Sequence, residues 1–307
     1  MSETTENCSD CAETAGGVCR GKIRKKAGFI RMSIIMRFPE GKEKAFTMSY
    51  DDGVAQDIRL AEIMKKNGLH GTFNINAGLI AAEDAQGGAG KMSAAQIKAL
   101  YSDPSFEVAV HGYTHPSLAE LSADEIIREV MQDKQKIEEM FGVVVRGMAY
   151  PYGCYNETVI ACLRLCGIAY SRTTVSTENY QLPEDWLRLP ATCHHNCARL
   201  NELGDAFIAW KMCPSDAPQM FYLWGHSYEF DTHNNWDVIE KFAEKIGGHD
   251  DIWYATNIEI CDYVDAFRRL HISTDGRIIE NPTSSPLWFT YKDNTFRIDP
   301  GAQIKLD

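Results

Sequence analysis

Between Lys44 and Leu270 the chain alternates short runs of β-forming residues with stretches that place apolar residues at helical spacing. Neighbouring parallel strands need a crossover connection, and a helix is the usual one. The alternation therefore predicts βαβ units and a parallel sheet covered by helices. Strands are expected at Ala45–Tyr50, Thr72–Asn76, Phe106–Val110, Gly147–Tyr150, Ile168–Ser171, Gln219–Trp224 and Ile252–Ala255. At 307 residues the chain fits one α/β barrel and buries a substantial core without staples. Helix ends carry their own signals. Ser93-Ala-Ala-Gln96 and Ser122-Ala-Asp-Glu125 read as capping boxes. Asn156 ahead of Glu157 and Asn257 ahead of Glu259 read as N-caps with acidic first turns. Gly68, Gly142 and Gly167 stand where helix-ending glycines belong.

Three segments follow from this pattern. Residues 1–40 read as a flexible leader, polar and acidic and then basic. Residues 41–270 form the barrel domain. Residues 271–307 read as a short β appendage with turns at Thr274-Asp-Gly276 and Lys292-Asp-Asn294, serving packing or a homo-oligomer contact. A net charge of -12 repels nucleic acid and anionic membranes, so neither is an expected partner. No apolar run approaches the roughly 20 residues that span a bilayer, and the first residues lack the apolar core of a signal peptide. A cytoplasmic location is the resulting expectation. Ten cysteines without a secretory signal read as free thiols. Cys8, Cys11 and Cys19 cluster, but zinc would need a fourth ligand that the neighbouring sequence lacks.

Chemistry concentrates at the predicted strand ends. The first strand runs out in Asp51-Asp52-Gly53. Asp and Gly are common in turns, but two adjacent carboxylates in a dry site repel each other unless a cation is close. The third strand ends in His111-Gly112-Tyr113-Thr114-His115. Two histidines there invite a metal, and Gly112 lets the backbone turn tightly enough for the rings to converge. His226 follows the sixth strand and has the intrinsic pKa of a general acid. Pro151-Tyr152-Gly153 after the fourth strand offers a fixed turn whose backbone N–H can face an oxyanion. In a parallel barrel all C-terminal strand ends open on one face, so these groups are expected to converge.

These residues resemble the polysaccharide deacetylase family, the NodB-homology carbohydrate esterases of family 4. The resemblance spans about residues 40–265. It rests on SYDDG at 49–53, HGYTH at 111–115, AYPYG at 149–153 and WGHSYEFD at 224–231. It implies a distorted (β/α)7 barrel, matching the seven expected strands. Residue by residue it implies Asp51 as catalytic base, with Asp52, His111 and His115 as ligands of Zn²⁺, or of Co, Ni or Fe. It further implies His226 as general acid and the Tyr152 backbone N–H as oxyanion donor. The substrate would be an acetylated carbohydrate. The Arg that the family carries two residues before the motif-three Pro is Ala149 here, with Arg146, Arg172 and Arg188 as replacements. Asp185-Trp186 resembles the fourth motif loosely, with Asp185 tuning His226 and Trp186 lining the pocket.

Trp186, Trp224 and Tyr228 offer sugar-stacking faces or core packing. Cys193-His194-His195-Asn196-Cys197 suggests a second metal, although adjacent imidazoles diverge; a loop bordering the cleft is the plainer reading. Cys154 lacks a dedicated base for nucleophilic work. Two other functions suit the same barrel: hydrolysis of a non-sugar amide or cyclic ureide, and silent glycan binding. The retained Asp52, His111 and His115 favour a metal enzyme over the first. Asp51 and His226 speak against the second.

Overall fold

The structure is a computed structural model that describes residues 34–81, 90–213 and 216–307. The Cys8, Cys11 and Cys19 cluster and most of the expected leader lie outside the described residues.

Strand β1 (Ile35–Arg37) is followed by β2 (Lys44–Asp51), helix α1 (Asp57–Lys66), β3 (Gly71–Ile75), α2 (Ala94–Tyr101), β4 (Phe106–Val110) and α3 (Ala123–Phe141). Next come β5 (Gly147–Ala149), α4 (Glu157–Leu165), β6 (Tyr170–Ser176), β7 (Leu189–Ala191), β8 (Cys193–His194) and α5 (Leu200–Ala209). Strand β9 (Gln219–Gly225), α6 (Tyr228–Thr232), α7 (Trp236–Ile246), β10 (Ile252–Tyr254) and α8 (Asn257–Arg268) complete the α/β part. The C-terminal strands are β11 (His271–Ile272), β12 (Ile278–Glu280), β13 (Leu287–Tyr291), β14 (Asn294–Ile298) and β15 (Gln303–Lys305). Among the described residues no helix is long and apolar enough to cross a membrane.

The main sheet is parallel, in the order β7-β6-β5-β4-β3-β2-β9-β8. Strand β9 runs along one side of β2, while β10 and β3 share the other: β10 pairs with Lys44–Phe46 and β3 with Met48–Asp51. The ladder path is open, with β7 and β8 at its two ends. Those ends are successive pieces of one extended segment joined at Thr192, whose N–H donates to the Tyr222 carbonyl at 2.9 Å. The sheet thus has the curvature of a distorted barrel without a closed ladder.

Alternation along β2 sets the two faces apart. Phe46, Met48 and Tyr50 join the apolar layer under the helices. Thr47, Ser49 and Asp51 point the other way, into a polar column. There Thr47 Oγ1 donates to Asn257 at 2.9 Å, and Asn74 Nδ2 donates to Ser49 at 2.7 Å and to Asp51 at 2.9 Å.

The sequence misses β7 and β8. Pro190 removes a backbone donor from the first, and Cys193-His194 shows no alternation, so neither reads as a strand. Strand β6 also runs beyond the expected Ser171 to Ser176, through a polar Arg172-Thr173-Thr174 run. The α8 cap is Thr256 rather than Asn257: its side chain accepts from the Glu259 N–H in a capping box. Strand β1, inside the expected leader, pairs antiparallel with β13, and Phe38 is fully buried. The C-terminal strands share an apolar cluster with α8 and β9, which includes Tyr222, Val264, Leu287 and Phe289.

Asp57, the first residue of α1, is a strut beneath the strand ends. Its buried carboxylate accepts from the Val54 N–H at 3.1 Å and from the Tyr101 and Ser227 hydroxyls at 2.6 Å each. Burial outweighs these hydrogen bonds and pushes its pKa up to about 7. A folded-state value above the unfolded one means that this group's stabilisation is full below about pH 4 and lost as pH rises through about 7. In Asp57→Asn the amide oxygen serves Val54 and Tyr101 and the NH₂ serves Ser227, without titration. The melting temperature should therefore fall more steeply from pH 5 to pH 8 in the wild type than in Asp57→Asn. Parallel declines by calorimetry would reject this role.

Candidate active site

The C-terminal ends of β2, β4 and β9, with the turn after β5, surround a cavity of about 260 Å³. Asp51, Asp52, His111, His115, Tyr152, Arg172, Trp224, His226 and Tyr228 line it.

Asp51 is 2% exposed. Burial alone would push its carboxyl up. Arg172 beside it, the His111 and His226 rings and the Asn74 hydrogen bond override that and hold it below the usual carboxylate value. Arg172 is itself buried, bonds to Asp51 and lies over the Trp224 ring at 4.3 Å. His111 Nε2 and His226 Nε2 lie 3.8 and 3.7 Å from Asp51 Oδ2. Asp51 is thus an ionised carboxylate between two imidazoles.

Asp52 turns away from the strand at φ 85°, and Lys91 Nζ lies 3.3 Å from its carboxylate. His111 is clamped on both backbone faces. Its N–H donates to Asp133 at 2.9 Å, and its carbonyl accepts from Asn76 Nδ2 at 2.6 Å. The Asp133 carboxyl, buried on α3, is pushed up to about 8 by burial. His111 Nδ1 lies 2.8 Å from the Ala149 carbonyl and donates to it, which leaves the Nε2 lone pair facing the cavity. Burial lowers the His111 pKa to about 4, so the ring is neutral at physiological pH. His115 Nε2 faces His111 Nε2 at 3.2 Å, and the Asp52 carboxylate joins them with all three donor atoms within 4.8 Å. Two facing imidazole lone pairs and a carboxylate repel one another unless a cation lies between them, so this donor set fits a divalent metal.

Pro151–Gly153 form one tight turn with Tyr152 at φ 58°. Gly153 is required there, because a Cβ would meet Thr174 Oγ1 at 2.3 Å. In such a first turn the Tyr152 N–H has no acceptor within its own helix. The Tyr152 ring, 66% exposed, stands against His115, and Tyr228 also lines the cavity. Burial depresses His226, but the Glu229 hydrogen bond and the Asp51 and Asp52 charges lift its pKa above the ordinary value.

Four expected site residues lie elsewhere. Arg146 sits just before β5 and pairs with Asp262, away from Asp51; the arginine that pairs with Asp51 is Arg172, from the extended β6. Arg188 is bonded to Asp185 and Glu157 on the surface. Asp185 caps Leu187 N–H and pairs with Arg188 instead of His226. Trp186 is buried in the core with Tyr170 and Ala191, leaving Trp224 and Tyr228 as the aromatic lining. Asn74, Lys91, Asp133 and Glu229 escaped the sequence reading. Of these, only Glu229, one helical turn after His226, carried a local signal.

Fold and site define an α/β protein with a carboxylate–imidazole cluster at the C-terminal ends of its parallel strands. Residues 39–171 match the model of the polysaccharide deacetylase family. No curated protein matches it. Among solved structures, a putative polysaccharide deacetylase from Mycobacterium smegmatis is 16% identical, with a TM-score of 0.52 over 77% of this chain and 95% of that one. The two share a fold. A Streptococcus pyogenes deacetylase in complex with acetate is 22% identical with a TM-score of 0.41, covering 46% of this chain. The chain spans 62% of that protein's length. A Bacillus anthracis pseudoenzyme of carbohydrate esterase family 4 is 19% identical, with a TM-score of 0.45 over 74% of this chain and 68% of that one.

Arg172 and Arg188 give a direct contrast. Arg172→Met leaves a buried carboxylate unpaired and should cost about 3–5 kcal/mol of stability. Arg188→Ala breaks a surface pair and should cost less than about 1 kcal/mol. Equal effects in denaturant titrations would contradict the assignment of Arg172 as the partner of Asp51.

Proposed function

We propose that the chain is a metal-dependent deacetylase that removes acetyl groups, from nitrogen and also from oxygen, of a poly- or oligosaccharide. The observation that carries this reading is the meeting of two sets of groups in one cavity. Asp52, His111 and His115 form a three-donor set with room for further ligands, and Asp51 and His226 stand beside it as base and acid. A bound divalent cation, zinc foremost, would polarise the acetyl carbonyl and acidify the attacking water, which a carboxylate held at low pKa needs.

The chain's own residues divide the remaining work. Asp51, kept ionised by Arg172, takes a proton from the attacking water. The Tyr152 N–H donates to the carbonyl oxygen as it gains charge. His226 Nε2 gives its proton to the departing nitrogen, so that the C–N bond breaks to acetate and a free amine. Tyr152 and Tyr228 offer ring faces at the rim for the sugar.

Acetate release from N-acetylated chito-oligosaccharides and acetylated xylo-oligosaccharides tests this. The wild type should release acetate and lose activity to a chelator. Asp51→Asn should lower kcat by roughly 10²–10⁴-fold, the usual worth of a positioned base. Indifference to the chelator would favour a metal-free amide hydrolase of the same fold. Full activity in Asp51→Asn would exclude the proposed base.

A further inference from the structure

Three imidazoles converge on the Glu229 carboxylate. His195 Nε2 lies 2.8 Å and His194 Nε2 3.2 Å from Oε2, while His226 Nδ1 lies 3.3 Å from Oε1. Asn196 Nδ2 donates to Oε2 at 3.4 Å. The end of β9 is kept bare for this arrangement: a Cβ on Gly225 would lie 2.1 Å from His195 Nδ1.

Such a group invites a second cation, because donor atoms of His194, His226 and Glu229 lie within 4.8 Å of one another. The tautomers argue otherwise. His194 Nδ1 accepts the Asn196 backbone N–H at 3.1 Å, so the neutral ring carries its proton on Nε2. His195 Nδ1 lies 3.2 Å from the Tyr50 hydroxyl, and burial keeps that phenol protonated. With Tyr50 donating, His195 also carries its proton on Nε2. The opposite tautomer would set a lone pair 2.8 Å from a carboxylate oxygen. Both neutral rings thus carry their proton on Nε2, the ring atom near Oε2, and keep no Nε2 lone pair for a metal. Oε2 faces both rings, and Oε1 faces His226.

We propose that Glu229, held in place by His194 and His195, fixes His226 as the Nδ1–H tautomer and sustains its imidazolium, leaving Nε2 to act as the acid. Glu229 is a positioning residue that acts through His226. Burial raises the Glu229 carboxyl, but hydrogen bonds from His194, His195 and His226 outweigh it and hold the group well below the carboxylate range. For the chemical step this inference rests on the deacetylase reading; for the tautomer it does not.

The tautomer gives the first test, in long-range ¹H–¹⁵N spectra of the ¹⁵N-labelled full chain, with His226→Ala to assign the ring. The wild type should show the proton on His226 Nδ1. In Glu229→Gln the amide oxygen serves His194 and His195, its NH₂ faces His226 Nδ1, and the tautomer should reverse. The second test compares leaving groups. An amide nitrogen must be protonated to depart, whereas 4-nitrophenolate departs unaided. Glu229→Gln should lower kcat on N-acetylated chito-oligosaccharide by roughly 10²-fold or more, with KM little changed, and leave 4-nitrophenyl acetate hydrolysis nearly intact. Equal losses on both substrates would mark Glu229 as scaffold only and overturn the proposal. So would an Nε2–H tautomer in the wild type, or a second zinc per native chain that Glu229→Gln loses. A wild type that releases acetate from neither substrate would refute the deacetylase reading, while the spectra would still decide the role of Glu229.

Discussion

The ion pair between Asp51 and Arg172 is the constraint around which the rest of the site is arranged. Both side chains are almost wholly buried. Taking such charges out of water costs several kcal/mol each, recovered only through close geometry and further hydrogen bonds. Asn74 supplies one of those bonds, and the Trp224 ring covers the guanidinium. Strand β6 must run past Ser171 to deliver Arg172, and β9 must end where Trp224 can lie against it. The pair in turn keeps Asp51 ionised at the foot of the cavity. Asp52, one residue on, must leave the strand direction to reach the two histidines. Asp52, His115 and Tyr152 all hold positive φ in the same cavity. Strained backbone of this kind persists where the surrounding structure over-determines it, and it clusters at functional sites.

Much of this was legible because parallel strands advertise their ends. Apolar runs followed by Asp-Asp-Gly or His-Gly-Tyr-Thr-His mark both the strand and the face on which its last residues open. The capping boxes at Ser93 and Ser122 are as local as signals get, and both form. What was not legible depends on partners distant in sequence. Arg146 and Arg172 are both arginines near strand residues. Only the register of β5 against β6, Ala149 beside Arg172, shows which one stands at the level of the missing motif-three arginine. Asp185 was the partner expected for His226. Asp185 is taken by a surface arginine, whereas Glu229 shares a helical turn with the histidine. Trp186 sits beside a plausible motif acid, yet its short helical turn aims it into the core.

The site divides into two electrostatic halves. On one side neutral imidazoles and the Asp52 carboxylate form a donor set that suits a cation. On the other, His226 is drawn toward its charged form by the carboxylates of Asp51, Asp52 and Glu229. Identical residue types thus take opposite roles through environment: His111 is driven neutral by burial, and His226 is lifted above its ordinary value by its neighbours. Such divergence between titrating pairs is what acid–base assignment within one site requires.

The central claim is that Asp52, His111 and His115 together hold one divalent cation. Metal content by mass spectrometry, on the native chain and on His111→Ala and His115→Ala variants that retain their fold, tests it most directly. The account predicts about one zinc, cobalt, nickel or iron per native chain, as a single three-ligand site requires, and loss of that metal in both variants. A native chain that takes up no metal even after soaking, or one that keeps its full content in both variants, would contradict it.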